Sequence, residues 1–194
     1  MGKGRLEAFS DGVIAVIITI MVLELKAPHG TNLAALGPLA PALLTYVLSF
    51  VYIGIYWNNH HHMLHAALHI DGRVLWANLH LLFWLSLVPF TTSWVGEYPA
   101  AAMPTAVYGG VFLMAGVAWL LLQGALVRCN GADSLLARAV GWDLKGKLSA
   151  LLYAAAIPLA FFRAWIADVL YVLVALLWFV PDRRFERSID PIRD

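Results

Sequence analysis

The chain has 194 residues, of which 61% are apolar and 13% charged, whereas soluble domains average about 45–50% apolar and about 25% charged residues. Its 13 lysines and arginines nearly balance 12 aspartates and glutamates, which excludes the strong basic field typical of nucleic-acid binding. The single cysteine, Cys129, excludes an internal disulfide and a paired-thiol site. This composition predicts an all-α polytopic membrane protein in contact with membrane lipids.

Six apolar segments approach the length of roughly 20 residues that a helix needs to cross a hydrocarbon core about 30 Å thick. They are Leu6 to Leu25, Leu36 to Asn58, Val74 to Val95, Thr105 to Val127, Leu148 to Phe162 and Trp165 to Val180. Glycine, proline and polar residues separate them, as is typical of loops. The sequence therefore predicts one six-helix transmembrane unit over residues 1–194. Only Arg163 and Ala164 separate the last two short segments, so a kinked hairpin that does not fully cross is the alternative.

The positions of the basic residues predict the orientation of the six helices. With a cytoplasmic N-terminus, only Lys26 and Arg163 lie outside. The cytoplasmic side then receives Lys3, Arg5, Arg73, Arg128, Arg138, Lys145, Lys147, Arg183, Arg184, Arg187 and Arg193. This asymmetry follows the positive-inside rule and predicts that both termini are cytoplasmic in a cell inner membrane. Tryptophans near segment ends indicate interfacial belts: Trp57, Trp76, Trp94, Trp142 and Trp165.

The first segment carries the most informative pattern. Val16, Ile20 and Leu23 form a narrow stripe on one helical face, with Thr19 at its edge, and Asp11 points about 140° away. Periodicity alone also allows the stripe to pack against lipid or a neighbouring helix, with Asp11 only capping the helix start. A cleaved signal peptide is disfavoured because charged and polar residues interrupt its layout and no small-residue cleavage site follows.

A histidine cluster follows the second segment: His60, His61, His62, His65 and His69. Histidines four residues apart, as in the pairs 61 with 65 and 65 with 69, can bind a metal from one helical face. The cluster could instead respond to pH, or form an interfacial helix end without a special role. Carboxylate ligands are scarce nearby and no catalytic motif appears in the chain. We therefore predict neither a metal centre nor an enzyme, and a metal-dependent membrane enzyme is the weakest alternative.

Several motifs resemble one known family. Arg5, Phe9, Ser10 and Asp11 form the pattern R-x-x-x-F-S-D at the start of the first apolar helix. Further similarities are Tyr56-Trp57-x-x-His60-His61, Trp76-x-Asn78-Leu79 and Ser86-Leu87-x-Pro89-Phe90. Together they resemble the transmembrane protein 175 family of potassium channels, in particular its bacterial branch. The resemblance extends from about Arg5 to Phe90.

The resemblance implies a potassium-selective, leak-type channel that lacks a carbonyl-lined selectivity filter. First helices from several repeats would surround a central pore, with Val16, Ile20 and Leu23 as an apolar constriction and the Thr19 hydroxyl contributing to selectivity. Because this chain holds one six-helix repeat, the resemblance implies a homotetramer. Potassium would be the permeant ion, and no cofactor is expected.

The resemblance also implies a polar network that holds the pore helix. Arg5, Ser10 and Asp11 would join candidate partners on the second and third helices, which are His60, His61 and Asn78. Glu24 at the outer end would concentrate cations, or would pair with Lys26 or with solvent. The main alternative function is a small ion-coupled secondary transporter in which Asp11 binds the coupling ion, although the sequence has no clear inverted repeat.

Overall fold

The computed structural model describes residues 2–140 and 143–179. These residues contain helices and no β-strand, which confirms the predicted all-helical class. The α-helices are α1 (Lys3–Leu23), α2 (Ala40–Ala66), α3 (Gly72–Ser86), α4 (Val88–Glu97), α5 (Ala102–Asn130), α6 (Leu135–Val140), α7 (Leu144–Phe162) and α8 (Ala164–Phe179). Five segments are long and apolar enough to cross a membrane: Lys3–Leu23, Leu33–Ala66, Gly72–Glu97, Ala102–Asn130 and Leu144–Phe162. Helix α8 is also apolar but shorter.

Some predicted features lie outside the described residues. They are Val180 at the end of the sixth predicted segment, Trp142 of the predicted aromatic belt, and the C-terminal basic residues Arg183, Arg184, Arg187 and Arg193.

The third predicted segment, Val74 to Val95, is two helices and not one. Helix α3 ends at Ser86 and α4 begins at Val88, with Leu87 between them. Pro89 explains the break, since proline lacks an N–H group and its ring clashes with the carbonyl four residues earlier. The Leu87 amide bonds to the Trp84 carbonyl at 3.2 Å, as in a tightened final turn. The two helices still form one apolar segment of 26 residues.

The second apolar segment extends further than predicted at its C-terminal end. A 3₁₀ helix at Leu33–Leu39 leads directly into α2, which continues to Ala66 and so includes four of the clustered histidines. The Asn32 side chain starts the 3₁₀ helix by accepting a hydrogen bond from the Ala35 amide at 3.1 Å. The predicted apolar segment stopped at Asn58 because hydropathy falls before the helix ends.

Helices α7 and α8 form an antiparallel hairpin that turns at Arg163, whose backbone is extended. The Trp178 indole donates to the Ser149 hydroxyl at 2.8 Å, so the two helices remain paired at the ends far from the turn. Helix α8 has 16 described residues, which correspond to about 24 Å at 1.5 Å per residue.

Helix α5 is the centre of the bundle and packs against α3, α4, α7 and α8. An aromatic cluster fills the space between α2, α5, α7 and α8, and it consists of Tyr52, Tyr108, Phe112, Tyr153 and Tyr171. Its hydroxyl groups have polar partners within the bundle: Tyr171 donates to the Thr105 carbonyl at 3.0 Å, and Tyr108 shares a hydrogen bond with Ser49. Helix α1 lies at the side of the bundle, against α2, α3 and α4.

Candidate functional site

Helix α1 has one buried and one exposed face. Residues at helical spacing face the bundle and are at most 3% exposed: Leu6, Ser10, Ile14, Ile17 and Met21. The predicted constriction residues lie on the other face, with Val16 55%, Ile20 42% and Leu23 76% exposed. Thr19 is also exposed. The apolar stripe is therefore the more exposed face of α1, whereas the opposite face anchors the helix.

A directed chain of buried hydrogen bonds connects α1, α2 and α3. The Ser10 hydroxyl donates to the Leu6 carbonyl at 2.8 Å, and the Asn78 amide nitrogen donates to the Ser10 oxygen at 2.9 Å. The Asn78 amide oxygen faces His60 Nε2 at 2.7 Å. Since an amide oxygen can only accept, His60 must carry its proton on Nε2. The chain therefore has one possible direction, from the imidazole to the Leu6 carbonyl.

Because these hydrogen bonds are buried, they favour one particular placement of the three helices. Ser10 and Asn78 are fully buried and His60 is 2% exposed, so water cannot replace a missing partner. A buried polar group that loses its partner costs about 1–3 kcal/mol. Each of the three helices supplies one side chain, and only one relative placement of the helices satisfies all three. The chain thus sets the depth and rotation of α1 against its neighbours.

Asp11 is held separately from this chain. Its carboxylate accepts a hydrogen bond from the Trp57 indole at 3.0 Å, at a more exposed position on the boundary between α1 and α2. The sequence suggested His60, His61 and Asn78 as partners of Arg5, Ser10 and Asp11. It assigned Trp57 to an interfacial belt and to a family motif, but not to the polar network. The missed signal was the position of Trp57, one helical turn before His61 in the same motif.

Other residues of the predicted network lie outside these hydrogen bonds. Arg5 is exposed, and its guanidinium group makes no hydrogen bond or ion pair with the described residues. Phe9 is 48% exposed. The ring of His61 stacks on Trp57 with centroids 6.2 Å apart. The structure thus brings together Ser10, His60 and Asn78, and leaves Arg5, Phe9 and His61 around them.

The outer end of α1 carries charged and hydroxyl groups. Glu24, the C-cap residue of α1, accepts a hydrogen bond from the Ser93 hydroxyl of α4 at 3.2 Å. Lys26 pairs with Glu97 at 3.8 Å, and both side chains are more than half exposed. The bond from Ser93 to Glu24 was not predicted from the sequence, which offered either a role in concentrating cations or a pair with Lys26 or solvent.

Along the axis of α1, Thr19 lies between the stripe residues Val16 and Ile20. Its hydroxyl donates to the Ala15 carbonyl of the preceding turn at 2.9 Å. This bond uses the only proton of the hydroxyl, so its free lone pairs point away from the helix backbone. Thr19 therefore presents a small hydrogen-bond acceptor on an otherwise apolar exposed face.

These features define a class: a polytopic helical membrane protein whose first helix is anchored through buried polar groups and presents a bare apolar stripe. Comparison with known proteins specifies it further. The family model described as the endosomal/lysosomal potassium channel TMEM175 matches residues 5–89. The chain belongs to the TMEM175 family of potassium channels, which confirms the resemblance identified from the sequence motifs.

Individual relatives support this assignment over nearly the whole chain. A potassium channel of Chryseobacterium sp. (strain P1-3) is 50% identical, and the match covers 97% of this chain and 98% of the relative. A potassium channel of Streptomyces collinus is 34% identical, with 91% of each chain covered. The crystal structure of a lysosomal potassium-selective channel TMEM175 homolog from Chamaesiphon minutus is similar with a TM-score of 0.81 and 29% identity, over 93% of this chain and 97% of that one.

Proposed function

We propose that this chain is the subunit of a homotetrameric, potassium-selective channel of the leak type in a prokaryotic inner membrane, with both termini cytoplasmic. The observation that carries the proposal is the two-sided first helix, which is anchored by Ser10 and exposes Val16, Ile20 and Leu23. One chain supplies one such helix, so several copies are needed to surround a pore. The names of the bacterial relatives support potassium as the permeant ion.

The apolar stripe supplies the gate. Where four copies bring Ile20 and Leu23 close to one axis, the narrow apolar neck loses its water and opposes the passage of ions. Conduction then requires the α1 helices to move apart until a largely hydrated cation fits. The hydrogen-bond chain from His60 to Ser10 keeps each helix in register while it moves, because its partners are on α2 and α3.

Selectivity comes from the cost of removing water from the ion. A weakly coordinating neck penalises sodium more than potassium, because the smaller ion holds its water more strongly. Thr19 contributes a ring of four hydroxyl oxygens at this level, and these offer partial replacement of the lost water. At the outer end, Glu24 raises the local concentration of cations. Permeant potassium is the substrate, and the mechanism requires no cofactor.

Reconstitution in liposomes tests this function. Under opposed potassium and sodium gradients, we expect unitary currents whose reversal potential is close to that of potassium. Light scattering of the purified protein should give a mass of four chains. Saturating flux without unitary currents would instead identify an ion-coupled transporter and overturn the channel proposal. A monomeric protein that still conducts would contradict the tetrameric pore.

A further inference from the structure

The cytoplasmic end of α2 carries a pair of exposed imidazoles that have no part in the proposed channel mechanism. His61 and His65 are four residues apart on one continuous helix, and both are exposed. Their rings are stacked, with centroids 6.1 Å apart and planes inclined by 22°. We propose that His61 and His65 together bind a divalent transition-metal ion of the Zn²⁺, Ni²⁺ and Cu²⁺ class.

The geometry of the pair fits such an ion. Neutral imidazole nitrogens bind Zn²⁺ at about 2.0–2.1 Å, and two imidazoles on one ion have ring centroids about 5 Å apart. The present separation of 6.1 Å closes to that value by rotation of the side chains, without movement of the helix backbone. Imidazole is also the protein ligand that suits zinc, copper and nickel best.

The fold distinguishes this pair from the second pair with the same spacing. His65 and His69 are also four residues apart, but α2 ends at Ala66 and His69 lies beyond it. The backbone of His69 is held by Asn130 of α5, which accepts from its amide at 2.9 Å and donates to its carbonyl at 3.0 Å. His69 is therefore not on the helical face of His65 and serves as a matched control.

The register of α1 against α2 places charge beside the pair. Asp11 bonds to Trp57, and the Lys3 ammonium donates to the His65 carbonyl at 3.0 Å, so the helices are antiparallel. Glu7 is midway between Lys3 and Asp11, so the same register places it at the level of His61.

No third imidazole, thiol or carboxylate completes a metal-binding group in the part of the chain that the structure describes. Water would therefore fill the remaining positions, and the ion would exchange readily.

The site connects directly to the anchor of the first helix. His61 stacks on Trp57, and the Trp57 indole holds Asp11 of α1. An ion that draws the His61 ring toward His65 changes this stack. Metal binding would then alter potassium flux, and this consequence, unlike the binding itself, rests on the proposed channel function.

Metal binding is tested on the full chain after removal of any affinity tag. With Cu²⁺ as the probe, electron paramagnetic resonance should show one site per chain with two nitrogen ligands. The exposed variants His61→Gln and His65→Gln should each weaken binding by about tenfold or more, since even loss of an indirect partner of a metal ligand costs that much. The variant His69→Gln should bind like the wild type. Equal binding by all four proteins, or equal loss in His69→Gln, would overturn the site.

A measurement on the wild type avoids dependence on variants. Zn²⁺ should protect His61 and His65 from acylation by diethyl pyrocarbonate, as measured by peptide mass spectrometry, and should leave His69 reactive. Uniform modification of the three would contradict the proposal.

Flux measurements test whether metal binding at His61 and His65 affects the channel. Zn²⁺ on the cytoplasmic side should change potassium flux in wild-type liposomes and not in His65→Gln liposomes. Bound metal without any change in flux would overturn the coupling alone. A protein that binds metal but carries no potassium current would overturn the channel function and leave the site intact.

Discussion

The Trp57 indole donates a hydrogen bond to the Asp11 carboxylate at 3.0 Å, across the boundary between α2 and α1. This contact is one polar anchor of the first helix, and the buried hydrogen-bond chain through Asn78 is another. The Asp11 anchor involves a charged carboxylate and is accessible to water, whereas the Asn78 anchor joins neutral groups and is buried. They should therefore respond differently to substitution.

Trp57→Phe should remove the Asp11 anchor while keeping an aromatic ring against His61. Loss of a partly exposed hydrogen bond to a carboxylate should lower the free energy of unfolding by about 1 kcal/mol. The melting temperature in detergent measures the effect. Trp76→Phe is the matched control, because Trp76 is 76% exposed on α3. An equal decrease in both variants would show that the Asp11 bond does not contribute.

Asn78→Leu should destabilise the protein more strongly, since it leaves the buried His60 Nε2–H group without an acceptor. The Ser10 oxygen loses the Asn78 donor but keeps its bond to the Leu6 carbonyl. At about 1–3 kcal/mol for a buried group without a partner, the loss should exceed that of Trp57→Phe. Asn59→Leu is the control, because within the described part of the chain the Asn59 amide donates only to the Ile55 carbonyl of its own helix, at 2.8 Å. If the two leucine variants unfold at the same temperature, the buried chain does not anchor α1.

Ile20→Ala should increase potassium leak through the reconstituted protein. The smaller side chain widens an apolar neck and lets water remain in it, which lowers the barrier for ions. Single-channel conductance and liposome flux measure the change. Val22 is also exposed, at 45%, and lies on another face of α1, so Val22→Ala should leave flux unchanged. A larger effect at Val22 than at Ile20 would place the pore on the other face.

Thr19→Val should reduce the preference for potassium over sodium and leave the channel conducting. The substitution keeps the shape of the side chain and removes the hydroxyl to which the proposed mechanism assigns contact with the ion. Reversal potentials under bi-ionic conditions measure the preference. Among the described residues the hydroxyl bonds only to the Ala15 carbonyl of its own helix, so the protein should remain folded. An unchanged reversal potential would remove Thr19 from the selectivity mechanism.

Gly109→Ala should destabilise the bundle, because an added methyl group at Gly109 would overlap the Tyr171 hydroxyl and ring. Overpacking of this kind costs about 1–3 kcal/mol. Gly110→Ala, one residue further on α5, meets no atom within 4 Å and should be tolerated. Combining Gly109→Ala with Tyr171→Phe should restore part of the loss, as measured by thermal unfolding. Equal behaviour of the two alanine variants would contradict the close packing of α5 against α8.

The sequence by itself determined the helical class and the two faces of α1. Both depend on local properties: apolar length decides which segments enter a membrane, and the helical period decides which side chains share a face. Val16, Ile20 and Leu23 could be grouped without knowledge of any other helix. The break at Pro89 was not predicted, because hydropathy is continuous across it and the predicted span followed hydropathy.

Only the tertiary structure decided which polar groups meet. Asp11 and Ser10 are adjacent in sequence, yet Asp11 bonds to Trp57 while Ser10 bonds to Asn78. That choice depends on the rotation and register of α1 against α2 and α3, which the packing of the whole bundle sets. The end of α2 at Ala66 likewise decided which histidine pair shares a face. Spacing along the chain is the same for both pairs, and only the path of the backbone separates them.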